Sequence, residues 1–362
     1  MTSPEERKRS AYMEWAKLSS KARFNLATSG LTNVTLAEFP LQSGDLEITG
    51  GGYGHGPLVE RIAQHTGAPA DCIVTAEGTS MANHLAMAAI LEPGNEVLIE
   101  HPTYGLLLDL AHYLGARVRR IERPPENDFA ISLGKLEAAI GPETRLIVLT
   151  NLHNPSGALV SQERLQAVGE LASRSGTLVL VDEVYLPMLF DSTPPSSFSL
   201  GENFVVTSSL TKTYGLSGLR CGWILAAPEL VHRMWRLNDL FAATPAHPAE
   251  RMSVMAFDHL DQFRARARDL LTANRALLDA FLDSRDDLDC FRPPAGSVVF
   301  PRLTNVEPGA FFQLLREKHE TSVVPGVFFE MPHHFRLGIG CPTEELREGL
   351  TRVGAALDEV AT

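Results

Sequence analysis

The chain has 362 residues, 44% hydrophobic and 21% charged, with a formal net charge of -12 at pH 7. This composition can build a sizeable core, as two domains or as one large domain with a smaller one attached, and it excludes a disordered chain. The acidic balance argues against nucleic acid or an anionic membrane as the main partner, while leaving room for a small basic pocket. Four widely spaced cysteines, Cys72, Cys221, Cys290 and Cys341, form no CxxC pair and point to a reducing cytoplasm. Met1 to Ser10 lack the apolar stretch of a signal peptide, and no uncharged apolar run approaches a membrane span.

From about Pro4 to Leu18 the spacing of Tyr12, Trp15 and Leu18 predicts an amphipathic helix, with packing as their expected role. Five glycines between Gly50 and Gly56 then make a loop in which backbone can approach another group closely. Leu58, Ile62 and Ala63 begin a helix. From Ile73 onward short apolar runs alternate with helical periods. Strands are expected at Ile73–Thr75, Val97–Ile99, Ala116–Ile121, Leu146–Leu149, Leu178–Val181, Phe204–Val206 and Trp223–Ala226. Helices are expected after Gly78-Thr79-Ser80, over Tyr104–Tyr113, behind Ser132 as N-cap, and behind Ser161 as N-cap with Gly176 closing the element. Continuous apolar strands separated by helices indicate a mostly parallel sheet covered on both faces. The character changes near residue 250. A long helix carries Leu270, Leu271, Leu277, Leu278, Phe281 and Leu282. Short strands follow around Val298–Phe300, Val323–Val324 and Phe335–Ile339, and Thr343 caps a last helix. The expectation is an α/β chain with a large, mostly parallel sheet domain at 46–265. A smaller α+β domain is formed by the C-terminal segment 266–362, joined by the N-terminal segment 1–45.

Several stretches carry chemistry. Lys212 stands among small hydroxyl residues and glycines, with no charged residue within seven positions on either side. An apolar setting favours the neutral amine that a Schiff-base lysine needs, although a loop lysine reaching solvent reads the same way. Gly78-Thr79-Ser80, between a strand and a helix, suits a phosphate, because helix N-termini offer free N–H groups and a positive dipole end; a plain N-cap fits equally well. Asn154-Pro155 follows a strand end and is either a turn or an amide aimed at a ligand. Asp182 ends a buried strand, where an acid needs a partner; it is a helix cap or the holder of a cationic heterocycle. Glu183 is expected to be solvated. Arg336 lies in an otherwise apolar strand and needs a carboxylate, internal or bound. No metal-ligand spacing, GxSxG, P-loop or GxGxxG pattern appears.

In order, Gly78-Thr79-Ser80, Pro102-Thr103-Tyr104, Asn154-Pro155-Ser156-Gly157, Asp182-x-x-Tyr185, Ser209-x-x-Lys212 with Arg220 eight residues on, and the late Arg336 resemble the class I/II pyridoxal-phosphate aminotransferases of fold type I. The resemblance runs from about Gly54 to Arg336. It implies that Lys212 forms the Schiff base with pyridoxal 5'-phosphate and then shuttles the proton. It implies that Asp182 pairs with the ring nitrogen, Tyr185 and Asn154 bind the ring's 3-oxygen, and Tyr104 stacks on the ring. Gly78, Thr79, Ser80, Ser209 and Arg220 hold the phosphate. Arg336 takes the substrate's α-carboxylate, with Asn154 and Gly30 in the same substrate-binding set. The implied activity is ping-pong transfer of an amino group between an L-amino acid and a 2-oxo acid, by a cytoplasmic homodimer that uses no metal. The same fold also runs β-elimination, racemisation and cyclisation, and a non-catalytic ligand-binding protein is the alternative from another class. Three features depart from the family pattern. Thr49 stands where a tyrosine often reaches the partner subunit's phosphate, which leaves Tyr53 as the substitute. Pro325-Gly326-Val327-Phe328-Phe329-Glu330 ends on Glu330 instead of glycine. No basic residue is assignable to a distal carboxylate.

Overall fold

A computed structural model describes residues 8–39, 41, 46 and 52–360. Thr49 and the start of the expected first helix, positions 4–7, lie outside the described residues. In chain order the main elements are α1 (Ala11–Leu18), β1 (Phe24–Asn25), α2 (Gly56–Thr66), β2 (Ile73–Glu77), α3 (Gly78–Ile90), β3 (Glu96–His101), α4 (Gly105–Tyr113), β4 (Arg117–Glu122), α5 (Leu133–Ala139), β5 (Thr144–Thr150), α6 (Gln162–Ser173), β6 (Leu178–Asp182), β7 (Phe204–Ser209) and β8 (Cys221–Leu225). There follow α7 (Pro228–Asn238), α8 (His247–Asp258), α9 (Leu260–Asp283), β9 (Leu288–Asp289), β10 (Val298–Val299), β11 (Arg302–Leu303), α10 (Pro308–Glu317), β12 (Thr321–Ser322), β13 (Val324–Pro325), β14 (Phe335–Gly338) and α11 (Thr343–Val360).

Seven strands form the large sheet in the order β2-β8-β7-β6-β5-β3-β4. Only β8 runs against its neighbours. Its central strands are apolar on both faces because both are covered. Ile99, Val148, Leu180 and Val205 pack with Leu85, Ala86 and Leu107 of α3 and α4. Their strand neighbours Leu98, Ile147, Leu149 and Val181 face Leu136, Leu165 and Val168 of α5 and α6. A covered parallel sheet requires this pattern.

The expected caps at Ser132 and Ser161 are present, each accepting from the backbone N–H three residues on, at 3.4 and 3.2 Å. Thr343 is not a cap: it is the first residue of α11, and the Pro342 carbonyl accepts from Leu346 at 3.0 Å. Tyr104 is likewise the N-cap of α4, not its first turn. In the family-like turn, Glu330 adopts the left-handed conformation (φ 62°) that a glycine takes without strain, and its carboxylate is paired with Arg120.

Part of the N-terminal segment packs into the smaller core, while Val34 and Phe39 pack with Ile73, Val206 and Trp223 of the large sheet. β1 pairs in parallel with β12, and Leu26 packs with Leu271, Phe311, Phe335, Leu337, Leu350 and Val353. β14 pairs antiparallel with β10 and β13, and from it Arg336 reaches Asn154 in the loop after β5. Among the described residues no helix is long and apolar enough to cross a membrane.

Candidate active site

Parallel strands release their side chains at the same end, and here that end is a cavity of about 280 Å³. Asp182 closes β6. It is 5% exposed, and its carboxylate accepts from Asn83 Nδ2 at 2.9 Å and from the Val184 N–H at 3.1 Å. Asn83 is itself oriented by Thr207 Oγ1, which donates to Asn83 Oδ1 at 2.6 Å. Burial raises Asp182 to about 6, against the pull of these bonds and of Lys212. Glu183, one residue on, alternates to the other side of the sheet. It is buried rather than solvated, because its carboxylate accepts from both the N–H and the hydroxyl of Ser197.

The raised Asp182 has a consequence for stability. The unfolded carboxylate titrates near 3.8 and the folded one near 6, so the folded chain binds more protons between those values. Stability therefore falls as pH rises from about 4 to about 6, by roughly 3 kcal/mol for a gap of about two pH units. Cofactor-free wild type is expected to lose that stability relative to Asp182→Asn across this window, measured as denaturation midpoints at pH 4, 5, 6 and 7. Parallel curves would remove the inference.

Thr79 and Ser80 lie inside the first turn of α3, so neither is an N-cap. The Thr79 hydroxyl donates instead to Ser209 Oγ at 2.7 Å, and Ser209 shares a second 2.7 Å bond with Thr211 Oγ1. Arg220 lies beside this row of hydroxyls, its two Nη atoms donating to the carbonyls of Ser217 and Glu77 at 3.2 and 3.3 Å. Gly78 has φ +73°, and a Cβ there would collide with the Arg220 guanidinium. Gly222 on β8 is equally constrained, because its Cβ would strike the Gly78 backbone. Gly78→Ala is thus expected to displace Arg220 and weaken cofactor retention by about tenfold or more, at the scale of a lost charged hydrogen bond. Equilibrium dialysis of the variant against the cofactor measures it.

Lys212 Nζ donates to Ser29 Oγ at 3.0 Å, and the lysine stem passes Gly30, where a Cβ would sit 3.6 Å from Cδ. Burial lowers its pKa from the usual lysine value; Arg336 and Arg220 push the same way, while Tyr12 and Asp182 oppose them. Arg336 is 1% exposed and has no carboxylate within ion-pair distance among the described residues. Its Nη1 donates to Asn154 Oδ1 at 2.9 Å, and its Nη2 donates to Tyr12 Oη at 2.8 Å and to the Ala27 carbonyl at 3.2 Å. Its Nε has no hydrogen-bond partner among the described residues. The internal salt bridge that the sequence allowed is therefore absent among these residues.

Asn154 is both turn and ligand-facing amide. Its loop is braced by Asn151, which exchanges two bonds with Val160, and by His153, held between Ser156 Oγ and the Pro102 carbonyl. The Asn154 N–H donates to Thr150 Oγ1 at 2.9 Å. Thr150 in turn donates to Glu100, which is fully buried and ion-paired with Arg123. Tyr104 and Tyr185 line the cavity with Asp182 and Lys212. Burial raises the Tyr185 phenol above its ordinary value, although Arg336 and Ser29 draw it down. Tyr53 stands outside the cavity. It is 49% exposed, its hydroxyl donates to Asp239 at 2.9 Å, and its ring lies against Trp235.

Among the cavity residues that escaped the sequence reading are Ser29, Asn83, Thr150 and, in its polar role, Tyr12. Asn83 carried a signal, being a polar residue one helical turn beyond Thr79 in an otherwise apolar helix. The packing expected of α1 holds for Trp15, whose ring lies 5.3 Å from that of Phe328. It fails for Leu18, which ends the helix and is 75% exposed.

Fold and site together define a fold type I enzyme. A family model for aminotransferase class I and II matches residues 22–353, and the chain belongs to that family. It is 31% identical to a capreomycidine synthase of Streptomyces vinaceus, over 93% of this chain and 90% of that protein. It is 28% identical to an arginine–pyruvate transaminase of Pseudomonas aeruginosa, over 84% and 79%. A PLP-dependent aminotransferase from Streptococcus suis superposes with a TM-score of 0.92 at 27% identity, covering 99% of each chain. The PLP-dependent cyclase OrfR does so with 0.89 at 25% identity, covering 97% of each.

The family works with pyridoxal phosphate, and the groups present fit it. A buried carboxylate with no cationic partner suits a protonated ring nitrogen. The row of hydroxyls beside an arginine suits a phosphate, and the half-buried Lys212 amine beside both suits a carbonyl.

Proposed function

We propose that the chain is a pyridoxal-phosphate-dependent transaminase, moving an amino group between an L-amino acid and a 2-oxo acid. The observation that carries the reading is one cavity lined by the half-buried Lys212 amine and the buried Asp182, with Arg336, which has no acid partner among the described residues, bonded to Asn154 and Tyr12 of its wall. Lys212 would hold the cofactor through Nζ, Asp182 would supply the negative charge for its ring nitrogen, and Asn154 and Tyr185 would bind its 3-oxygen. Tyr104 would cover the ring. Gly78, Thr79, Ser80, Ser209 and Arg220 would hold its phosphate. The cofactor supplies an electron sink for the pair left at the substrate Cα.

The chain's own residues do the rest. Arg336 binds the α-carboxylate and fixes which bond at Cα faces the lysine, with Gly30 leaving the lysine stem room to swing. Lys212 Nζ, kept toward its neutral form by burial, takes the Cα proton and would return it, on the same face, at the cofactor's carbaldehyde carbon. Tyr104 and the α1 side chains exclude water while the proton is in flight.

A cytoplasmic homodimer goes with this reading. Tyr53, Tyr113, Leu240 and Phe241 are exposed, and His84 joins two of them, its ring 6.1 Å from Tyr113 and 5.2 Å from Phe241. Such an aromatic face suits a second copy, which would bring Tyr53 toward the other subunit's phosphate site. Light scattering of the purified protein tests it.

Cyclisation is the second reading, favoured by the resemblance to a capreomycidine synthase and to the cyclase OrfR. A panel of amino donors with and without 2-oxo acid acceptors separates the two. Amino transfer consumes the acceptor stoichiometrically, whereas a cyclase or lyase forms product without one.

A further inference from the structure

Tyr12 places a hydroxyl where a purely packing residue needs none. Ser10 caps α1 by accepting from the Met13 N–H, and the helix then lays Tyr12, Met13, Trp15 and Ala16 along the cavity. The Tyr12 ring is edge-on to Tyr104 at 5.5 Å and to Phe328 at 5.8 Å. These contacts fix the ring and leave the oxygen no choice of position. That oxygen accepts from Arg336 Nη2 at 2.8 Å. A phenol that accepts still has its own proton to donate, and among the described residues nothing receives it. Arg336 is in the same condition: its Nε is buried without an acceptor. Tyr12 and Asn154 both line the cavity, and both are bonded to Arg336, which among the described residues has no carboxylate within ion-pair distance. A carboxylate, with about four acceptor sites, suits such a set of donors.

We propose that Tyr12 is a substrate-binding residue: its O–H donates to the α-carboxylate that Arg336 holds, so the substrate itself pins α1 over the cavity. This rests on the amino-acid reading of the function. It adds a second carboxylate ligand, and it gives α1 a role in telling amino acids from amines. The chain link is long, since Tyr12 and Arg336 lie 324 positions apart. Carboxylate binding thereby ties the N-terminal helix to β14.

The test uses holoenzyme and the best donor found in the amino-acid panel, titrated against the matched amine that lacks the carboxylate. Tyr12→Phe keeps the ring contacts with Tyr104 and Phe328, so the fold is retained. The variant is expected to bind the amino acid roughly tenfold or more weakly, at the scale of a hydrogen bond to a charged group, with amine affinity unchanged. The fluorescence change of Trp15 on amino-acid binding is expected to shrink with it. Equal losses for amino acid and amine, or no loss, overturn the proposal. So does a Tyr12→Phe effect that vanishes in an Arg336→Lys background, since Tyr12 then only braces the arginine. A wild-type protein that turns over no amino acid overturns the functional reading itself, whatever Tyr12 does.

Discussion

Lys212→Ala is expected to lower turnover by about 10⁴-fold or more, the upper range for one positioned acid–base group, and to abolish the visible absorption of covalently held cofactor. Two losses combine in this variant. The Cα proton loses its acceptor, and the cofactor loses its attachment. Neither can be supplied by a neighbour. The other cations of the site, Arg220 and Arg336, are guanidiniums that stay protonated, and both are committed to carbonyl, amide or phenol partners. The variant should fold, because Lys212 makes a single side-chain hydrogen bond, to Ser29, and removing it opens space in an existing cavity. Lys212→Arg sharpens the result: it restores length and charge but no neutral amine, and is expected to be as inactive. An absorption band that survives in Lys212→Ala assigns the attachment to another residue and sinks the role given to this one.

The parts of the site that were legible in the sequence share a property: each is declared locally. Gly78, Lys212 and Arg220 stand in short stretches whose composition departs from their surroundings, and each stretch follows an apolar strand. Parallel strands deliver such stretches to one end of the sheet, so topology alone brought Asp182, Ser209 and Asn154 together. What stayed hidden depends on distant pairings. Tyr12 read as one apolar member of an amphipathic helix because nothing near it reveals that β14 will place Arg336 under its hydroxyl. Glu100 lies in a run ending β3, and its burial is tolerable only because Arg123, just past β4, and Thr150, at the end of β5, meet it there. Glu183 misled for the same reason, since its partner Ser197 lies in a turn with no motif. The fold shows the same division. Most strands of the large sheet announced themselves by apolar runs, although β4 carries three arginines. The two-residue strands β1, β9, β11 and β12 did not, because pairs that short are defined by their partners and carry no pattern of their own.

Asp182→Ala is expected to reduce transamination by about 10³-fold, the loss typical when a preorganised electrostatic partner of the reacting centre is removed. The carboxylate's surroundings explain why no substitute is at hand. Thr207 orients Asn83, and Asn83 with the Val184 N–H orients Asp182, so the relay supplies only neutral dipoles once the charge is gone. Glu183 faces the opposite side of the sheet, bound to Ser197, and cannot turn inward without breaking β6 register with β7. Alanine also strands Asn83 Nδ2, a buried donor, which by itself costs about 1–3 kcal/mol of stability. Asp182→Asn separates the two effects. Its single amide oxygen can still accept from Asn83, although its NH2 group then faces the Val184 N–H, and the negative charge is absent. The expected pattern is a smaller loss of stability than in alanine, retained cofactor phosphate contacts, and a loss of turnover close to that of alanine. Single-turnover rates for the two variants, beside their melting temperatures, decide the matter. If Asp182→Asn transaminates at the wild-type rate, the charge of Asp182 does not serve the ring nitrogen, and the buried acid is a structural partner of Asn83 alone.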